Sequence, residues 1–283
     1  MATELESAPG QMAGIERFEV RSLGELLDRA TPETPDPRSG RLRDAVVYRG
    51  SSDLEWSLLT SLDRLGGIDP PHTKAALEEH ILRNFLRYSR PYLDGPVQSL
   101  WETLVVAQHH GLPTRLLDWT YSPLVAAHFA TLEESPAPNR VVWKLDWHKL
   151  HRHFQLRPVA LLADDLDEVL RSRGIESIWQ FFECGEELEG SFACMMEPPS
   201  LDLRIVAQAA AFTVCSSKSK SLDQFLIECG LASAMTKFVI PGDSVDHVRD
   251  QLDLCAVDER RLFPDLGGVT RQMRRYYSMS PGG

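Results

Sequence analysis

Short apolar runs of strand length are interleaved with amphipathic stretches of helical length, without a regular beat, and this pattern most narrows what the chain can fold into. Ala45 to Tyr48, Val141 to Leu145, Ala211 to Val214 and Lys237 to Ile240 read as strands. Leu23 to Arg29, Lys74 to Tyr88, Leu100 to Gln108, Leu124 to Leu132, Asp164 to Arg173 and Leu222 to Cys229 read as helices. Their ends carry chemical marks. Ser22 with Glu25 makes a capping-box pattern, Ser122 and Pro123 look like an N-cap and a first helical residue, and Gly111 and Gly174 stop helices. A doubly wound sheet would alternate strand and helix more steadily, and no internal repeat occurs. The expected architecture is α+β, a single domain with a small mixed sheet flanked by helices and a helical C-terminal part in short pieces from Ser244 to Tyr277. Its expected bounds are 18–277, between a flexible N-terminus at 1–17 and a flexible C-terminus at 278–283.

Composition removes several classes. With 43% hydrophobic and 25% charged residues, the chain is not disordered, collagen-like or a disulfide scaffold. A net charge of −11 repels phosphate backbones and disfavours nucleic acid as a partner. Cys184, Cys194, Cys215, Cys229 and Cys255 are odd in number and form no C-x-x-C pair, so they read as buried structural thiols in a reducing compartment. The absence of a leader pattern and of any apolar run near ~18 residues gives the expectation of a cytoplasmic chain with no membrane partner. The phosphate loop, the dinucleotide fingerprint, H-E-x-x-H, G-x-S-x-G and the EF-hand loop do not occur. His148, His151 and His153 alternate with Lys149 and Arg152 as on a solvated helix, and no metal is expected.

Chemistry concentrates between Gln108 and Pro123, a stretch read as a helix-loop-helix junction. Gln108, His109, His110, Arg115, Asp118, Trp119, Thr120, Tyr121 and Ser122 crowd amide, imidazole, guanidinium, carboxylate, indole and hydroxyl groups beside a helix N-terminus, where backbone donors suit an anion. A purely structural reading assigns Asp118 to Arg115, Thr120 or Ser122 to capping, and Trp119 to the core. Earlier in the chain, Arg49 ends an apolar strand and Gly50 follows it. The guanidinium offers paired donors to phosphate, and the glycine lets a ligand approach the backbone. A small anionic ligand or nucleotide is the expected partner.

These residues resemble a known family. Tyr48-Arg49-Gly50, Trp56 through Leu58 to Leu62-Asp63-Arg64, the block Gln108 to Ala130, Gln208 through Phe212-Thr213, and Leu262-Phe263-Pro264-Asp265-Leu266-Gly267-Gly268 are similar, in that order, to the FRG domain, over about Phe18 to Tyr276. Ala210 stands where the family pattern has glycine. The resemblance implies a bacterial, phage-associated protein of a defence or toxin system, with a protein target or a neutralising partner. A second resemblance is to ADP-ribosyltransferases of the arginine-serine-glutamate type, carried by Arg49, by Thr120 with Ser122, and by the Ala126-x-x-Phe129 step, with Gln208 where those enzymes use glutamate.

That second resemblance implies an ADP-ribosyltransferase-like fold and NAD as substrate. Tyr48, Arg49, Gly50, Gln108, Arg115, Thr120 and Ser122 would bind NAD, His109 would supply a proton or hold the adenylate, Asp118 would supply the missing carboxylate, and Gln208 would grip the ribose. The reaction implied is ADP-ribosyl transfer or NAD cleavage. The alternatives are a non-catalytic ligand-binding or sensor module on the same pocket, and hydrolytic or nucleic-acid-processing chemistry on His109, His110 and Asp118.

Overall fold

The computed structural model describes residues 14–36, 39–42, 44–66, 72–92, 99–132, 135, 137–183, 191–199, 203–216 and 221–278. Among them lie seven strands: β1 (Glu16–Glu19), β2 (Val46–Ser51), β3 (Leu117–Thr120), β4 (Asn139–Asp146), β5 (Ala193–Met196), β6 (Ala210–Cys215) and β7 (Met235–Pro241). They form one sheet in the order β1-β7-β4-β2-β3-β6-β5, in which only β1 and β7 run parallel. The helices are α1 (Leu23–Ala30), α2 (Lys74–Ser89), α3 (Leu100–His109), α4 (Pro123–Thr131), α5 (Trp147–His153), α6 (Ala163–Ser172), α7 (Ile178–Glu183), α8 (Leu203–Ala207), α9 (Leu222–Glu228), α10 (Val245–Leu254), α11 (Glu259–Leu262) and α12 (Leu266–Tyr276). The α+β expectation of a mixed sheet flanked by helices therefore holds.

Successive strand residues face opposite ways, so each strand serves two cores. On one face Val47, Trp119, Trp143 and Met195 pack with Leu150 of α5 and Phe225 of α9. The opposite face is shared by two groups of helices. Tyr48, Val142 and Phe238 lie under α1, α4 and α10, whereas Phe212 and Val214 lie under α2, α3, α6 and α7. Tyr48 is paired with Thr120, and Thr120 with Ala210, which puts these three in one row on the shared face.

The marked helix ends behave as their chemistry dictates. Ser22, Ser99 and Ser122 each accept a hydrogen bond from the backbone N–H three residues on, and Gly111 and Gly174 take positive φ past their helices. Gly50 has a different task. A Cβ there would lie 2.0 Å from the Ala126 carbonyl oxygen and 2.4 Å from the Ala130 nitrogen, so its missing side chain lets α4 cross β2 at backbone contact. The Ala126-x-x-Phe129 step supplies the small residue on the other side of that crossing.

Several expectations need correction. The supposed loop after Pro113 contains β3, a four-residue strand in which buried Leu117 and Trp119 alternate with Asp118 and Thr120. β1 begins at Glu16, two residues before the expected domain start, and β5, α7 and α8 were not foreseen. Arg115 does not pair with Asp118. It is 2% exposed, and its Nε and backbone N–H both donate to Glu78 of α2, whose carboxylate is fully buried; its guanidinium lies 3.5 Å over the Phe182 ring. A cation taken out of water keeps the anion buried with it, and Asp118, at the surface, cannot serve.

His151 is a core residue rather than a solvated one: Nε2 accepts from Met195 N, Nδ1 bonds the Arg157 carbonyl, and burial pushes its pKa down. Of the described cysteines, all free thiols, only Cys194 is fully buried and Cys255 is exposed; Cys184 lies outside the described residues, as do 1–13 and 279–283 of the expected flexible ends.

The helical C-terminal part is tied to the body by an ion cluster in which Arg249 and Glu259 are buried and Arg275 and Asp253 partly exposed. Arg249 of α10 donates to Glu259 (2.6 Å), Arg275 donates to Glu259 (2.8 Å) and Asp253 (2.6 Å), and Arg249 Nη1 also donates to Nδ1 of His128. Burial pushes the His128 imidazole down to about 4, and the Arg249 charge adds to this. Burial opposes ionisation of Glu259, but its Arg275 hydrogen bond, its backbone bond and the Arg249 charge hold it at about 2.

Three outcomes follow from this packing. Glu78→Ala strands the Arg115 guanidinium and costs on the order of 3–5 kcal/mol, while Asp118→Ala changes stability by less than about 1 kcal/mol; urea denaturation of both variants checks the contrast. Gly50→Ala drives a methyl into α4 backbone and lowers stability by on the order of 1–3 kcal/mol, read as a drop in melting temperature. His128, neutral in the fold, contributes stability that is whole above its unfolded pKa of about 6.5 and is lost as pH falls towards about 4. Between pH 7 and 5 the unfolding free energy falls by roughly 2 kcal/mol through this group, and His128→Gln flattens that slope. Glu259 titrates below this window.

Candidate functional site

β2 and β3 pair only at Tyr48 opposite Thr120, and beyond that pair the two strands part. A cavity of about 400 Å³ occupies the opening, within the usual size range of ligand sites. β2 lends it Tyr48, Arg49, Gly50 and Ser51, and β3 lends Asp118, Trp119 and Thr120. The segment after β2 adds Ser52, Trp56, Ser61 and Arg64. Gln108 enters from α3, Phe129 from α4, Arg204 from α8, Gln208 from the turn after α8, and Ala210 from the start of β6.

Arg49 holds the parting strands. Its Nη1 donates to the Asp118 carbonyl at 2.7 Å and lies 3.7 Å from the Asp118 carboxylate. The guanidinium therefore takes up a backbone acceptor that the missing ladder would otherwise pair. Burial lowers the Arg49 pKa, the Asp118 charge opposes that effect, and the nearby Arg64 charge adds to it. Gln108 fixes the carboxylate from the other side: its Nε2 donates to Asp118 Oδ2 (2.9 Å) and the Leu116 carbonyl, and its Oε1 accepts from the Thr114 hydroxyl. Asp118 is half exposed, with 58% of its side chain open to solvent.

The far wall is braced from behind. The Thr120 hydroxyl donates to the Gln208 carbonyl (2.7 Å), and Gln208 Nε2 donates to the Leu262 carbonyl at the end of α11 (3.0 Å). Phe263 meets Phe129 edge to face, and the guanidiniums of Arg204 and Arg271 lie 4.9 and 4.6 Å from its ring. Asp265 caps α12, and Gly268 is needed there because a Cβ would sit 1.9 Å from the Phe263 carbonyl oxygen. The Leu262 to Gly268 motif thus makes a tight corner that positions Leu262 and Phe263. Ala210, where the FRG pattern has glycine, is an ordinary strand residue opposite Thr120; the left-handed backbone belongs to its neighbour Ala209, at φ 45°.

Of the expected site residues, the cavity gathers Tyr48, Arg49, Gly50, Gln108, Asp118, Thr120 and Gln208. Tyr48 lines the cavity from β2, but its hydroxyl points away to the Ala30 carbonyl, and burial raises its pKa to about 12. Three residues stand apart. Arg115 is locked to Glu78, Ser122 caps α4 through Val125 N, and His109 packs its ring against His110 at the end of α3, outside the cavity. The His109, His110 and Asp118 combination is therefore not assembled at the cavity. No group of three or more potential metal ligands occurs among the described residues, and no helix among them is long and apolar enough to cross a membrane.

Sequence reasoning gave no role to Arg64 or Arg204. Arg204 precedes Gln208 by one helical turn, and its carbonyl accepts from Gln208 N, so the Arg-x-x-x-Gln spacing was a usable signal. Arg64 stands in the Leu62-Asp63-Arg64 motif, whose other members are structural: Leu62 is fully buried and Asp63 pairs with Lys74. With both arginines counted, three arginines line the cavity against one aspartate, in a chain of net charge −11.

No curated protein and no solved structure matches the chain. The family comparison covers the stretch from just before β2 to the first residue of β4, which holds Arg49, Trp56, Arg64, Gln108 and Asp118. Over residues 44–139 the chain matches the family model of the FRG domain.

Proposed function

We propose that the cavity is a nucleotide site, that NAD is its ligand, and that the reaction is ADP-ribosyl transfer or NAD cleavage. One observation carries this reading: three arginines converge on a concave site in an otherwise acidic protein. Two of them, Arg49 and Arg64, are close enough for the charge of one to depress the pKa of the other, an arrangement that a bridging anion relieves.

In this reading Arg49 and Arg64 hold the pyrophosphate. Asp118 is the carboxylate on the cavity, and Gln108 fixes it by hydrogen bond. Its negative charge stabilises the ribosyl centre as the C1′–N bond breaks and the electron pair leaves on neutral nicotinamide. Water or a nucleophile of a target protein then bonds C1′ and gives its proton to the Asp118 carboxylate. Thr120 and Gln208 act by bracing the wall. The FRG resemblance supports a setting in the bacterial cytoplasm, as an effector or defence protein with a protein target or a neutralising partner.

A non-catalytic sensor on the same cavity is the second reading. It is favoured by the exposure of Asp118, because solvent weakens the charge stabilisation that the chemistry demands.

Arg49→Lys separates ligand binding from fold. Lysine keeps the charge but cannot donate in parallel to the Asp118 carbonyl and to a phosphate, so NAD affinity falls by about tenfold or more while the thermal melt is nearly unchanged. Calorimetric titration together with loss of NAD over time reads both quantities. Binding without turnover selects the sensor reading, and wild-type affinity in the lysine variant removes Arg49 from the site.

A further inference from the structure

Trp56 is displayed at the cavity in a way that the core does not require. Its flanking residues Leu54 and Leu58 are buried, at 6% and 3% exposure, while Trp56 itself is 51% exposed. The anchoring is firm: Leu58 N donates to the buried Asp223 carboxylate at 2.9 Å, and Leu222 N donates to the Leu58 carbonyl at 3.1 Å. The Trp56 loop is thus nailed to α9 next to the tryptophan, which leaves the indole facing outward beside the cavity it lines. An indole held in water at a concave site offers a flat, polarisable face with little conformational freedom left to lose.

Arg64 stands on the same segment and lines the same cavity, and Arg49 lines it from β2. A ring-binding face and phosphate-binding forks are therefore presented together. A ligand with only phosphate would use the arginines and leave the indole idle. A convex protein-docking patch would not place the ring among cavity-lining arginines.

We propose that Trp56 is the stacking platform for a planar heteroaromatic ring, so that the cavity selects nucleotides, with the ring on Trp56 and the phosphates at Arg49 and Arg64, over anions that lack a base. This deepens the nucleotide reading and rests on it, but it is separable from NAD as the particular ligand. Stacking tolerates different bases because each has a π face, so ADP and NAD both use the indole.

Calorimetric titrations of the full chain, Trp56→Ala and Trp56→Phe with NAD, ADP and inorganic pyrophosphate test this. Wild type binds the nucleotides about tenfold or more tighter than pyrophosphate; Trp56→Ala loses about that factor for nucleotides and stays within about twofold for pyrophosphate; Trp56→Phe keeps most of the affinity. The exposed position makes both variants fold, with melting temperatures within about 2 °C of wild type. Nucleotide binding that ignores Trp56→Ala overturns the proposal and leaves the anion site standing. An equal loss for pyrophosphate and nucleotides also overturns it, because the ring would then only shape the cavity. If ADP binds through Trp56 and NAD does not bind, the platform stands and NAD as ligand falls. Binding of pyrophosphate alone, or of none of the three probes, overturns it.

Discussion

The hydrogen bond from Arg49 to the Asp118 carbonyl is the contact on which the site depends. A sheet that opens in its interior leaves backbone acceptors without partners, and such groups are costly unless something polar reaches them. Arg49 does so from β2 without closing the gap, because a guanidinium is longer than a ladder bond and carries further donors. The strands stay apart, the cavity stays open, and part of the guanidinium is left to face it. Gly50, one residue on, fixes the other side of β2 against α4, so the strand cannot swing to refill the opening.

Support for the cavity comes from distant parts of the chain. The wall formed by Gln208 and Phe129 leans on Leu262 and Phe263, which the α11 to α12 corner presents. That corner is in turn held by Glu259 with Arg249 and Arg275. A partly buried cluster of this kind adds little net stability, yet losing one member is costly, so it works as a register device for the C-terminal helices. The FRG match ends at residue 139, well before this bracing, which the remaining half of the chain provides.

What was legible in the sequence was local. Serine caps, stop glycines and helical periodicity act within a few residues, and the helices they mark form where expected. β3 was hidden because four residues give too short a period-two pattern, and its polar members read as a loop. The Arg115 error has a similar origin: Asp118 is the nearer acid in sequence, but Glu78, 37 residues away, is the one buried beside it. For the site, Arg49, Gln108, Asp118 and Gln208 could be singled out by chemical concentration and by resemblance. Arg204 was marked only by its one-turn spacing to Gln208, while Arg64 and the function of Gly50 depend on which backbones approach each other, and no local pattern contains that.

A crystal structure of the full chain with ADP-ribose bound tests the account most directly. The account places the pyrophosphate within hydrogen-bond distance of Arg49 and Arg64 in the opening between β2 and β3, with Arg49 still bonded to the Asp118 carbonyl. Density for the ligand anywhere else on the surface, or in the cavity with its phosphates turned away from both arginines, would contradict it.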